Sequence, residues 1–131
     1  MAEAMERLQE QGPGRTIISD AVVAKIAGIA AREVPGVHEL GGAAERALAR
    51  ITGAGRTTGV GVEVGEEEAA VDINMIVDYG QSIPDVANQV RKNVMNQIES
   101  FTGLRVKEVN IAVNDLFFPG ERAEEREERA A

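Results

Sequence analysis

The chain has no cysteine, no tryptophan and a single histidine. Without thiols it can build neither a disulfide framework nor a thiolate metal site, and one imidazole cannot make a multi-histidine site. No metal or cofactor is therefore expected, and a cytoplasmic compartment is the plain reading. Aromatic residues are as sparse, with three Phe and one Tyr, so platforms for stacking bases are few. No apolar run approaches the roughly 18 residues of a membrane-spanning helix. The start, "MAEAMERLQEQGPGR", lacks the basic beginning and apolar stretch of a secretory signal, so export by that route is not expected. Positive charge is also short: 14 Lys and Arg against 22 Asp and Glu leave a net charge of -8. Residues 1–13 and 121–131 carry -2 each, so the stretch between them is itself acidic at -4. That balance opposes polyanionic partners.

What remains is enough apolar residue, 44% of 131, for one compact core. The four prolines, Pro13, Pro35, Pro84 and Pro119, fall where the hydrophobic pattern changes. They divide the chain into a flexible amino-terminal segment (1–14), a folded unit (15–118) and a charged tail (119–131), "GERAEEREERAA" being almost wholly charge and alanine. Within the unit, "TIISDAVVAKIAGIAAREVPGV" predicts a short extended lead-in and then a helix. Ser19 and Asp20 suit its start, Val22, Ile26 and Ile29 recur at helical spacing, and Pro35 with Gly36 ends it. Ala24 with Gly28, and Ala27 with Ala31, set small residues one turn apart, a seam suited to close packing within the same molecule.

"AAERALARITGAG" predicts a brief second helix with Ala44, Ala47, Leu48 and Ile51 on one side and a mobile glycine-rich exit. Val60, Val62 and Val64, then Val71, Ile73, Met75, Val77 and Tyr79, alternate as strands, and the polar link Gly65–Glu68 joins them as an antiparallel hairpin. The next helix carries Val86, Val90, Val94, Ile98 and Phe101 and stops at Thr102 and Gly103; a last strand carries Val109, Ile111 and Val113. A crossover through that helix returns the last strand to the hairpin's sheet. The expected fold is a single small α+β domain of order α-β-β-α-β, with the extra short helix, a three-stranded sheet and helices on one face.

Candidate chemistry is thin. "DYGQSIPDVANQVRKNV" runs from strand end to helix start, a place where proteins hold phosphate. Ser82 and Asp85, however, have the spacing of a capping box, which uses the same amides, and the Asp85 charge repels an anion. "GAGRTTGVGV" lacks the Gly-Lys-Ser/Thr ending and following helix of a phosphate loop. His38 follows the "EVPGV" turn beside Glu39 with no visible nucleophile, and Asp72 and Asp78 are too far apart along one strand to share a substrate. An enzyme is not expected. A KH-like nucleic-acid-binding module is the alternative, since the element order suits it, but no two of the fourteen glycines have the spacing of its loop. Arg91, Lys92, Arg105 and Lys107 read as a solvated rim. With helices on one face, the other sheet face should present Glu63, Asp72, Asn74, Ile76, Asn110 and Ala112, where Ile76 and Ala112 interrupt a polar surface. This face, or a free strand edge, is the expected interaction surface.

"IISDAVVAKIAGIAAREVPGV", "VDINMIVDYGQSIPDVANQVRKNV" and "TGLRVKEVNIAVND" together resemble the alkaline-shock-protein family, envelope stress response proteins of Gram-positive bacteria. The most specific parts are the "EVPGV" turn at Glu33–Val37, "YGQSIP" at Tyr79–Pro84 and "TGLRVKEVNIAV" at Thr102–Val113; the alanine- and glycine-rich Gly41–Gly59 looks like an actinobacterial branch. The resemblance implies a non-enzymatic stress protein that self-associates and, in some members, is held at the membrane by a partner with transmembrane helices. It brings no catalytic residues. The expectation is a homo-oligomeric cytoplasmic scaffold with an integral membrane protein as partner, with no direct membrane insertion and no nucleic-acid ligand.

Overall fold

The computed structural model describes residues 13–53 and 58–120. In chain order the elements are α1 (Asp20–Arg32), β1 (Val37–Leu40), α2 (Ala43–Thr52), β2 (Val60–Val64), β3 (Glu68–Asp78), α3 (Ile83–Thr102) and β4 (Arg105–Phe117). Apart from residues 13–14 and 119–120, the expected terminal segments lie outside the described residues, as do residues 54–57 of the glycine-rich exit.

The central strand is β3, and its alternation explains the sheet. The hairpin forms as its sequence predicts: β2 pairs antiparallel, with Val60 opposite Ile73, Val62 opposite Val71 and Val64 opposite Ala69. After α3 the chain returns as β4, parallel to β3 along its whole length. The expected three strands become four. The addition is β1, which pairs antiparallel with the last part of β3, Val37 opposite Val77 and Leu40 opposite Met75. It escaped the sequence pattern because it is four residues long and a bulge between Val37 and Glu39 breaks its alternation.

Thus β2 and β1 share one side of β3 and meet at Asn74. The Asn74 N–H donates to the Gly59 carbonyl at 2.8 Å, and the Asn74 carbonyl accepts from the Gly41 N–H at 2.8 Å. Both glycines hold φ of +77°, and a Cβ on Gly59 would strike the Gly41 nitrogen. The chain therefore leaves the sheet at Gly41, forms α2 and re-enters at Gly59, within contact of its point of departure.

The core lies between one face of the sheet and α1 and α3. It gathers Ala69, Val71, Ile73, Met75 and Val77 from β3, Leu40 from β1, and Val86, Val90, Val94 and Ile98 from α3. In α1 the buried side is not the expected stripe of large residues: Val22 and Ile29 are 46% and 37% exposed, whereas Val23, Ala24, Ala27, Gly28, Ala30 and Ala31 are buried. The small-residue seam is the packing face because it lets α3 come close enough for Asn93 to donate to the Ala30 carbonyl at 2.7 Å. Asn93 and Gln97 also reach the Glu33 carboxylate.

The helix ends follow local chemistry with one departure. Ser82 accepts from the Asp85 N–H at 3.4 Å, a long bond. Gly103, at φ +76°, closes α3 by donating to the Glu99 carbonyl. Ser19 precedes α1 as expected, but its side chain accepts no capping bond; its carbonyl instead receives the Val22 and Val23 amides. Phe101, expected on the buried stripe of α3, is 67% exposed. The chain reverses at Gly103 immediately afterwards, and Leu104 fills that end of the core.

Candidate interaction surface

Because α1 and α3 both pack on the core side, the residues of opposite parity form the other face of the sheet. Register sets them in rows across the strands. Glu63 and Glu108 flank Ala70; Gly61 and Asn110 flank Asp72; Ala112 lies beside Asn74; Glu39 and Asp115 flank Ile76; Phe117 lies beside Asp78. Of the expected surface residues, Glu63, Asp72, Asn110 and Ala112 are exposed and Asn74 is half-buried. Ile76 corrects the expectation, being 3% exposed and so not an apolar spot on an open face.

Asn110 ties part of the surface together. Its amide donates to Asp72 Oδ1 at 3.1 Å and to Glu108 Oε2 at 2.9 Å, so the two carboxylates are held by one neutral group. The charged residues named in these rows, Glu39, Glu63, Asp72, Asp78, Glu108 and Asp115, are all acidic, and the face gains a cation at its near end, where Arg105 lies beside Glu68. Asp72 and Asp78 occupy separate rows, as their spacing requires, and have different partners.

At the far end of this face the structure brings together a cluster that sequence reasoning missed. The His38 ring stacks on Phe117 with centroids 3.8 Å apart and planes 5° from parallel, and its Nδ1 lies 3.2 Å from Asp78 Oδ1. His38 is a strand residue of β1 rather than a turn residue beside Glu39. Parity along β4 could have put Phe117 on the outer face, but only the pairing of β1 with β3 brings His38 to it.

The second exposed feature is the outer edge of β4. Side chains of α3 close part of it: Glu99 accepts from the Val106 N–H at 2.9 Å and Arg91 donates to the Val109 carbonyl at 3.2 Å. Arg91 is thus a half-buried edge clamp, not merely a solvated rim residue. Further on, Leu116 N–H is satisfied by the neighbouring Asp115 carboxylate at 2.8 Å. A groove of about 550 Å³ opens at the same end of β4, lined by Tyr79, Ile83, Val113, Leu116 and Phe118 among others. Tyr79 and Phe118 meet edge-on there, with centroids 5.0 Å apart.

The "EVPGV" turn has a structural reason: at Gly36, φ is +101°, a Cβ would strike Val86, and the carbonyl accepts from Asp78 N–H at 2.8 Å. The junctions that carry the sequence resemblance are therefore the joints of this sheet. A family model described as having a cell envelope-related function matches residues 8–118. The chain belongs to the alkaline-shock-protein 23 family. It is 34% identical over 106 residues to YqhY of Bacillus subtilis, covering 80% of this chain and 78% of that protein. It is 30% identical over 105 residues to a stress response regulator gls24 homolog of Streptococcus pyogenes, covering 79% of this chain and 59% of that protein. Among solved structures, a MamM CTD variant in its zinc form aligns with a TM-score of 0.46 and 13% identity, over 77% of this chain and 89% of that one. Family membership ties the chain to the cell envelope, and no helix among the described residues is long and apolar enough to cross a membrane.

Proposed function

We propose that this protein serves the cell-envelope stress response as a non-catalytic, self-associating interaction module on the cytoplasmic side of the membrane. The observation that carries this reading is the one-sided sheet: α1 and α3 cover the apolar face, while the acidic face and the β4 edge lie open. The streptococcal relative's name, a stress response regulator homolog, agrees with a role in stress. Attachment to the envelope runs through a protein partner, such as an integral membrane protein. Anionic lipid headgroups favour basic segments, whereas Glu39, Glu63, Asp72, Glu108 and Asp115 give the open face the opposite sign. The same charges disfavour RNA or DNA as ligand, since affinity for either rests on cations meeting phosphates.

The test has two arms. Sedimentation of the purified chain across a wide concentration range should show reversible association, and a strict monomer throughout would remove the scaffold. Purified protein should fail to pellet with anionic liposomes, while part of the cellular protein sediments with membranes under envelope stress. Strong liposome binding, or no membrane fraction in stressed cells, would overturn partner-mediated attachment.

A further inference from the structure

Strand β4 is one edge of the sheet, opposite the edge formed by β1 and β2, and its middle carries few of the devices that usually protect an edge. Register shifts place bulges at both ends of a regular run, between Val106 and Glu108 and between Val113 and Asp115. Between them "VNIAVN", Val109–Asn114, has no charge and no proline; Arg105, Lys107, Glu108 and Asp115 all lie outside it. One outward-turned group at each of three residues is bonded to a side chain: the Val106 N–H to Glu99, the Val109 carbonyl to Arg91 and the Leu116 N–H to Asp115. Backbone groups alternate sides along a strand, so from Val109 the next residues to turn outward are Ile111 and Val113. No side chain among the described residues caps them.

We infer that this run pairs antiparallel with the same run of a second copy, across a two-fold axis at Ala112, joining two sheets edge to edge. This rests on the self-association proposed above and names its surface. The pattern is self-complementary: the N–H and C=O of Ile111 meet the C=O and N–H of Val113 in the second copy, and the reverse, giving an isologous contact. Asn110 then lies opposite Asn114 of the second copy, so no like charges oppose one another within the run. Ala112 is exposed, and as a small residue it suits the axis, where facing Cα atoms of a non-hydrogen-bonded pair stand about 4.5 Å apart. Ile111 and Val113 are half-buried on the core side, and Val113 also lines the groove with Tyr79, Ile83, Leu116 and Phe118. A second copy therefore meets apolar surface beside its backbone ladder.

A chain without cysteine makes the test specific. Facing Cα atoms at about 4.5 Å lie within the roughly 4.4–6.8 Å span of a disulfide, so Ala112→Cys should form a covalent dimer under mild oxidation. Glu63→Cys, on the same face but on β2, should not. Ala112→Lys sets like charges across the axis at an exposed site; association by sedimentation should weaken at least tenfold, with circular dichroism unchanged and with the melting temperature unchanged at a dilution where both proteins are monomeric. If the wild type associates but Ala112→Lys leaves its dissociation constant unchanged, and Ala112→Cys cross-links no faster than Glu63→Cys, the edge assignment is overturned while self-association stands. If the wild type remains monomeric at every concentration, both are overturned.

Discussion

Helices α2 and α3 both carry an apolar stripe at helical spacing, yet they meet opposite fates. In α3, Val86, Val90, Val94 and Ile98 are between 0% and 3% exposed. In α2, Leu48 is 60% and Ile51 84% exposed. The difference lies in where each helix is tied. Helix α3 is a crossover whose two ends are fixed to parallel strands, so its stripe is drawn across the sheet. Helix α2 belongs to an excursion whose two ends meet at Gly41 and Gly59, and nothing in that tether draws its stripe onto the core. An apolar period thus specifies a helix, but the connection at its ends decides what it covers.

The largest expected effect that sharpens this contrast is in α3. Ile98→Ala should lower the unfolding free energy by about 2–5 kcal/mol, as removal of a fully buried aliphatic group does, read from the denaturant midpoint. The tether of α2 comes next. Gly59→Ala forces a side chain into positive φ and into the Gly41 and Asn74 backbone, and should cost about 1–3 kcal/mol. Gly53→Ala is the control: it shares the positive φ but has nothing within 4 Å, so it should cost less, about 1 kcal/mol. Equal losses at the two glycines would break the claim that the tether is sterically closed.

Smaller again is the start of α3. Ser82→Ala should cost about 0.5–1 kcal/mol, the low end for a lost cap because the bond is long. Inorganic phosphate should raise the melting temperature of neither form; a rise in the wild type alone would make the junction an anion site rather than a cap. The smallest effect is expected in α2, where the double change Leu48→Ala, Ile51→Ala should move stability by no more than about 0.5 kcal/mol in chemical denaturation. A loss above about 2 kcal/mol would mean that the stripe is buried in solution and would end the comparison.

The residues that made the fold legible are those whose roles are local. Gly103 stops α3 because the left-handed conformation suits glycine, Gly65–Glu67 turns the hairpin, and alternating β-branched residues in β3 define its two faces. The face carrying Glu63, Asp72, Asn110 and Ala112 was legible by the same parity. Ile76 was not, since its burial depends on what β1 and β4 place around it rather than on its position in β3. The seam of α1 was visible as a spacing, but its precedence over Val22 and Ile29 required α3 to be in place.

The amino-acid sequence by itself determined that this is a cysteine-free, acidic α+β chain with a hairpin, a crossover helix and no metal-ligand motif, because composition, period and turn chemistry act within a few residues. Tertiary structure alone decided that β1 joins the sheet, that Asn74 pins both ends of the α2 excursion, that His38 stacks on Phe117, and that the edge of β4 is closed at Val106 and Val109 but open at Ile111 and Val113. Each of these is a pairing between segments far apart in the chain, and no local preference specifies which distant backbone a strand or ring will meet.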